Sequence, residues 1–63
     1  MRIEFLTDSA AFCNSQTGEE DKYYRNAECL RVLNNVKMAF SLDGKESGTI
    51  LDSNGNAIGH WEF

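Results

Sequence analysis

The chain has 63 residues, with ten acidic residues against six basic ones and a formal net charge of −4. A chain of this length forms one domain and buries only about 60% of its unfolded surface, so it is near the lower size limit for folding unaided. The excess of acidic over basic residues argues against direct nucleic-acid binding, which needs clustered Lys and Arg. No apolar run approaches the roughly 20 residues that cross a bilayer.

The first predicted element is a strand over residues 2–7, RIEFLT. Ile3 and Phe5 alternate with more polar neighbours, and this period of two indicates a half-buried strand. Asp8 and Ser9 favour a turn, so the strand should end near residue 7. The apolar residues that follow are predicted to form a loop that places Phe12 under the core. Residues 13–21 are polar and should form a surface connection.

The second predicted element is a helix from about residue 20 to residue 42. Its apolar residues follow the 3.6-residue period of one helix face. They are Cys29, Val32, Leu33, Val36 and Phe40. Gly44 lies just past the end of this pattern, where a left-handed residue commonly ends a helix. The helix is therefore the largest predicted element.

The third and fourth predicted elements are the strands of a hairpin, residues 49–51 and 57–63. Asn54 and Gly55 lie between two apolar segments, and Asn-Gly in that setting is a strong hairpin signal. The order strand, helix, strand, strand predicts an α+β fold, β-α-β-β, with one helix packed on a three-stranded antiparallel sheet of order 1-3-2. The predicted sheet contribution to the core is Ile3, Phe5, Ile50, Ile58, Trp61 and Phe63.

The predicted turn could be mistaken for a calcium loop, because Asp52, Asn54 and Asn56 alternate. An EF-hand loop needs Gly at its sixth position and a bidentate Glu at its twelfth. Here Gly55 is at the fourth position and Phe63 at the twelfth. The spacing therefore favours a plain hairpin turn over a cation site.

Catalysis and metal binding also have little support in the sequence. The only His is His60 and the only thiols are Cys13 and Cys29, with no ligand spacing typical of zinc and no motif that would activate a Cys nucleophile. A domain this small has little room for a pocket of about 300 Å³ or more. We therefore predict a protein that is not an enzyme and needs no cofactor. The two thiols and the absence of a signal-peptide pattern predict a cytoplasmic protein.

Acidic residues near the predicted helix are the best candidates for a working surface. Three consecutive acids lie at its start: Glu19, Glu20 and Asp21. They also have a structural explanation, because negative charge near the positive end of the helix dipole stabilises a helix. One of the adjacent tyrosines Tyr23 and Tyr24 should face outward beside them, where a ring can contact Arg or Lys of a partner. The candidate partner-binding residues are Glu19, Glu20, Asp21, Tyr24, Glu28, Asp43 and Glu46.

Three stretches of the chain resemble a group of small proteins from phages, prophages and integrative elements. They are FLTDSAAF, ECLRVLNNV and LDSNGNAIGHWEF. Members of the group typically end in Asp-x-Asn-Gly-Asn-x-Ile/Val-Gly-x-Trp-Glu, and residues 52–62 have this pattern. The resemblance covers most of the chain except the connection around residues 13–22. The group has no established common activity, so it implies no catalytic residue. It implies a mobile-element protein that acts in a bacterial cytoplasm.

Small acidic phage proteins are often inhibitors that cover a surface of a host protein, and anti-CRISPR proteins are an example. By this analogy the sequence predicts a non-enzymatic inhibitor of a host nucleic-acid-handling complex, with an acidic surface that mimics DNA. The expected partner is a host protein with a basic surface, such as a CRISPR effector. The alternative is a structural or regulatory accessory protein that forms a homodimer through the open face of the sheet, if Leu6, Leu51 or Trp61 lies there.

Overall fold

A computed structural model describes all residues, 1–63, and contains the predicted elements in the predicted order. Strand β1 spans Arg2–Phe5, helix α1 Lys22–Ser41, strand β2 Ser47–Leu51 and strand β3 Ala57–Glu62. The three strands form one antiparallel sheet in the order β1-β3-β2, and α1 packs on it, so the predicted α+β fold is confirmed. No helix is both long and apolar enough to cross a membrane.

Short-range signals set both ends of α1. At its start Asp21 is the N-cap, and its Oδ1 accepts a hydrogen bond of 2.8 Å from the backbone N–H of Tyr23. At its end Gly44 has φ of +68°, and the N–H of Lys45 reaches back to the carbonyl of Ala39 at 3.1 Å. The left-handed glycine thus turns the chain out of the helix, as the sequence predicts.

The sheet register gives the two faces of the sheet different chemistry. Trp61 of β3 lies between Ile3 of β1 and Gly48 of β2, and this row faces α1. The next row, in which His60 lies between Glu4 and Thr49, faces away from the helix. One face is therefore apolar and covered, and the other is polar and open.

A bulge in β3 changes the register between Ile50 and Leu51. Ile50 pairs with Gly59 and Leu51 with Ala57, so Ile58 is the extra residue. Ile58 and Trp61 have opposite parity along this strand, and the bulge allows both to pack at the core. Gly59 also lies close to β1, because a Cβ at this position would be 2.6 Å from Cα and Cβ of Phe5. The glycine is thus required by the approach of the two strands.

The core is small and lies between α1 and the strands β2 and β3. Its buried members are Val32, Val36, Ile50 and Trp61, with Ile3, Phe5, Ala39 and Ile58 packed around them. Three residues predicted to be in the core are more exposed than expected: Leu33 at 44%, Phe40 at 38% and Phe63 at 71%. The helix buries the stripe centred on Val32 and Val36, and this leaves Leu33 and Phe40 on its flank.

A short 3-10 helix, Ala10–Phe12, closes one end of the core. Phe12 is only 2% exposed, and its ring stacks with that of Phe5 at a centroid distance of 6.3 Å. The sequence predicts a loop here that places Phe12 under the core, and the burial of Phe12 is confirmed. The backbone forms one turn of 3-10 helix because the N–H groups of Phe12 and Cys13 bond to the carbonyls of Ser9 and Ala10.

Candidate functional site

The acidic residues before α1 lie on a short loop that its own hydrogen bonds shape. Cys13 and Glu20 form an isolated antiparallel bridge, and the N–H of Asn14 donates to the carbonyl of Glu19 at 2.8 Å. Asn14 Oδ1 accepts hydrogen bonds from the amides of Gln16 and Thr17. These contacts hold Glu19 and Glu20 exposed at the N-terminal end of the helix.

A narrow cleft of about 240 Å³ lies beside this loop. Three of its lining residues are acidic: Asp8, Glu20 and Asp21. The basic residues Lys22 and Arg25 line it too. Asp8 is absent from the set predicted from the sequence, because it lies far from the helix along the chain. We call Asp8, Glu19, Glu20 and Asp21 the N-terminal acidic cluster.

The other predicted acids do not join this cluster. Asp43 and Glu46 are exposed and lie beyond the C-terminal end of α1. The helix has 20 residues, and at 1.5 Å per residue it separates the two groups by about 30 Å. The predicted acidic surface is therefore two separate groups at opposite ends of the helix.

Glu28 is not a surface carboxylate, although the sequence places it in the acidic surface. It is only 7% exposed. Its two oxygens accept hydrogen bonds from Arg31 at 2.7 and 3.0 Å, and one of them also accepts from the backbone N–H of Ser53 at 2.7 Å. Glu28 lies four residues before Val32, so it falls on the covered side of the helix. This spacing was the signal in the sequence that could have identified it.

The Glu28 contacts join the middle of α1 to the β2–β3 turn. Arg31 also donates to the carbonyl of Leu51 at 3.0 Å, so the two side chains together bind both sides of Asp52. The hydrogen bonds from Arg31 and then from Ser53 lower the pKa of Glu28, against the opposing effect of burial. Their role is structural.

Asp52 organises the hairpin turn in which the sequence could suggest a cation site. It is 3% exposed. Its Oδ1 accepts from the backbone N–H groups of Asn54 and Asn56, each at 2.9 Å, and Gly55 adopts φ of +84°. The bond from Asn56 is the largest cause of its lowered pKa. The buried hydroxyl of Ser9 lies close enough to lower this pKa further, but Ser9 Oγ makes no hydrogen bond within normal distance and angle.

The two tyrosines differ from expectation in their relative exposure. Tyr24 is 38% exposed, whereas Tyr23 is 74% exposed and is the more available ring. The ammonium of Lys22 lies 5.4 Å from the centroid of the Tyr23 ring, within the range of a cation–π contact. An aromatic residue therefore does lie beside the N-terminal acidic cluster, and Tyr23 fits that description better than Tyr24.

The open face of the sheet is mainly polar. It carries a row formed by Arg2, Glu62 and Ser47 beside the row that contains His60. Arg2 pairs with Glu4 at 2.5 Å, and this hydrogen bond raises the pKa of Arg2. The sequence suggests Leu6, Leu51 and Trp61 for an apolar dimer surface on this face. Trp61 lies on the covered face instead, and only Leu6 and Leu51 are exposed.

The chain has no arrangement of ligands for a metal ion: no group of three or more His, Cys, Asp or Glu side chains is suitably placed. His60 is on the open face, and Cys29 is half-buried on a helix that packs on the other face. Cys13 is also half-buried, and its thiol lies 3.8 Å from the carbonyl of Ser9. The sheet thus separates His60 from Cys29.

The largest depression on the surface, of about 690 Å³, runs along β1 and β3 and is shallow and open. It is larger than the sequence predicts for a domain of this size. Its lining is Ile3, Glu4, Phe5, Leu6, Thr7, Ile58, Gly59 and His60. Its polar lining residues are Glu4, Thr7 and His60, and Glu4 and His60 are opposite each other on β1 and β3.

Six of the ten acidic residues have no hydrogen bond or ion pair to their side chains within the chain. Glu4 and Glu28 are ion-paired, and Asp21 and Asp52 accept hydrogen bonds from the backbone. The unpaired six are all exposed; they are Asp8, Glu19, Glu20, Asp43, Glu46 and Glu62. These six carboxylates are therefore exposed to solvent without an internal ion pair.

Comparisons of the chain with protein-family models, with curated proteins and with solved structures found no match.

Proposed function

We propose that the protein is encoded by a phage or another mobile element, that it is not an enzyme, and that it inhibits a host nucleic-acid-handling complex by binding a basic surface of that complex. The observation that carries this proposal is the set of six exposed carboxylates without partners. Carboxylates that are already solvated and unpaired can meet Arg and Lys of a partner without first breaking an internal ion pair.

The N-terminal acidic cluster is the proposed centre of this surface. Asp21 of this cluster accepts a hydrogen bond from the backbone N–H of Tyr23, whose side chain is 74% exposed. Acids beside an aromatic ring match a surface rich in Arg, which makes both ion pairs and cation–π contacts. Grooves that bind nucleic acid are rich in Arg and Lys for the phosphates. A CRISPR effector is one host machine with such a groove, in keeping with the family resemblance of the sequence.

The alternative of an accessory protein that dimerises through the open sheet face has less support. That face carries Arg2, Glu4, His60 and Glu62, and two copies brought together there would have to desolvate these charges.

The test is affinity capture from a bacterial lysate with the tagged full chain, at about 0.05 and 0.5 M NaCl. We expect a captured nucleic-acid-binding protein whose retention falls at the higher salt, because exposed charges are then screened. The double variant Glu19→Gln/Glu20→Gln should weaken capture about tenfold. The matched control, Asp43→Asn/Glu46→Gln, removes the same charge at the other end of α1 and should weaken it less.

A second measurement asks whether binding inhibits the partner. The captured protein, once purified, should lose nucleic-acid binding in a gel-shift assay when the wild-type chain is added, and should keep it with Glu19→Gln/Glu20→Gln. Capture that is insensitive to both salt and the double variant would contradict the proposal.

A further inference from the structure

Strand β2 is an edge of the sheet, and its outer side has unpaired backbone groups. The N–H of Phe63 bonds to the carbonyl of Glu46 at 2.7 Å. Bonded and non-bonded pairs alternate along an antiparallel ladder, so the backbone of Gly48 bonds to β3. The N–H and C=O groups of Ser47 and Thr49 therefore point away from the sheet. Both residues are exposed and form no backbone hydrogen bond outside it, so this edge can accept a further strand.

A groove of about 390 Å³ runs along this free edge, between β2 and α1. The indole of Trp61 lines the groove and extends over β2, because a Cβ at Gly48 would lie 2.7 Å from Trp61 Nε1. Glycine at this position therefore leaves the indole N–H uncovered on the side of the groove.

The indole N–H of Trp61 is a donor without a partner. Trp61 is only 3% exposed, and no hydrogen bond to its Nε1 forms within the chain. Buried Trp side chains usually bond this group. Ser9 Oγ is the one fully buried side-chain polar atom that lacks a partner, so Nε1 of Trp61 keeps access to solvent. The N–H thus opens into the groove, where an acceptor from outside the chain can reach it.

Charge indicates what kind of acceptor fits this groove. Its charged lining residues are Arg31, Lys45 and Asp52. Arg31 is bound to Glu28, and Asp52 accepts from amides of its own turn. Lys45 is exposed and forms no ion pair. The free charge in the groove is therefore positive, in a chain whose net charge is −4, and it favours a carboxylate.

A strand added to β2 would bring one side chain to the indole. The added residue opposite Gly48 would form a pair without hydrogen bonds, in which the two Cα atoms are only about 4.5 Å apart. Its side chain would project toward α1, into the space that the glycine leaves over Trp61. The bond from Arg31 to the carbonyl of Leu51, at 3.0 Å, ends the free edge on one side. The paired segment is therefore short.

We propose that this groove binds an extended acidic segment of another protein, which adds a strand to the free edge of β2 and places a carboxylate against the indole N–H of Trp61. Glu19 and Glu20 do not line the groove. The site is therefore independent of the proposed inhibitory function.

The test is titration of the ¹⁵N-labelled full chain with the peptide Thr-Val-Thr-Glu-Thr-Val-Thr, blocked at both termini, followed by NMR. We expect shifts of the indole N–H signal of Trp61 and of the backbone amide of Thr49. The dissociation constant should lie below about 1 mM. The same peptide with Lys in place of Glu should bind at least about tenfold more weakly, because it sets a cation against Lys45 and a donor against a donor.

Two further comparisons separate backbone pairing from charge. N-methylation of the two Thr residues beside Glu removes the peptide N–H groups that face Ser47 and Thr49, and should abolish binding without altering the protein. Lys45→Gln should weaken binding of the Glu peptide by about two- to fivefold, as expected for an exposed ion pair. Lys37→Gln is the matched control, since it removes the same charge from an exposed site outside the groove and should leave binding unchanged.

The proposal is overturned if the Glu peptide leaves the signals of Trp61 and Thr49 in place, or if the Lys or N-methylated peptide binds as tightly. It also fails if Lys37→Gln weakens binding as much as Lys45→Gln does. Shifts of the same signals when the protein alone is concentrated would mean that a second copy pairs with this edge, and would equally contradict it.

Discussion

At the scale of single residues, the close approach of β1 to β3 depends on Gly59. A Cβ at this position would lie 2.6 Å from Cα and Cβ of Phe5, a distance that backbone atoms can accommodate only if β1 moves away. Because β1 is an edge strand of four residues, a small displacement would weaken its whole pairing with β3.

We therefore predict that Gly59→Ala lowers the free energy of unfolding by about 1–3 kcal/mol, the usual cost of overpacking. Chemical denaturation followed by the fluorescence of Trp61 measures this, since Trp61 is 3% exposed in the folded chain. The control is His60→Thr, a change at the adjacent exposed residue of the same strand, which should cost less than about 0.5 kcal/mol. Equal stability of Gly59→Ala and wild type would show that β1 tolerates the extra methyl group.

At the scale of elements, the Glu28–Arg31 pair attaches α1 to the β2–β3 turn. The side chain of Arg31 is 37% exposed and that of Glu28 only 7%. The buried carboxylate makes three hydrogen bonds, to Arg31 and to the backbone of Ser53. Removing its charge weakens all three, because hydrogen bonds to ionised groups are the stronger kind.

We predict that Glu28→Gln lowers the free energy of unfolding at pH 7 by about 1–3 kcal/mol. The pKa of Glu28 is lowered in the folded chain from its ordinary 4.5. The stabilisation from its charge is therefore fully present above about pH 5 and is lost as the pH falls through the lowered value. Urea denaturation of wild type and variant from pH 7 to pH 3 should show the difference between them shrinking in acid. Glu46→Gln, at an exposed site, should show no such difference.

At the scale of the whole molecule, a net charge of −4 is spread over a small elongated surface. Only two ion pairs, Arg2–Glu4 and Arg31–Glu28, offset the mutual repulsion of the acids. The balance of charge therefore acts against the compact state at low ionic strength.

We predict that raising NaCl from about 0.02 to 0.5 M increases the melting temperature of the dilute protein, because salt screens this repulsion. A gain of about 1 kcal/mol corresponds to roughly 4–8 °C in a domain of this size. Asp43→Asn/Glu46→Gln removes two acids beyond the negative end of the helix dipole, so it should melt higher at low salt and respond less to added salt. A melting temperature that falls with salt would mean that the ion pairs outweigh the repulsion.

The predicted elements follow from information that lies within a few residues in the sequence. Alternation in β1, the stripe through Val32 and Val36, Gly44 after the helix and Asn-Gly in the turn each act over short distances. The connection rules then leave few arrangements for four such elements, so the strand order 1-3-2 could be predicted as well.

The environment of individual side chains was decided by tertiary packing. The sequence alone does not say how much of a helix a three-stranded sheet covers, so Leu33, Phe40 and Phe63 were expected in the core and are exposed. The same limit applies to Glu28. Its burial depends on the arrival of Ser53 from a turn 25 residues away.

The sequence by itself determined the three strands, the long helix, the strand order and the negative charge of this protein, because these depend on local pattern and composition. Only the tertiary structure decided which carboxylates are free. It brought Asp8 to the start of α1, buried Glu28 and Asp52, and separated Asp43 and Glu46 from the rest. The physical reason is that the exposure and the hydrogen bonds of a carboxylate depend on segments that are distant in the sequence. The sequence itself shows only that the residue is acidic.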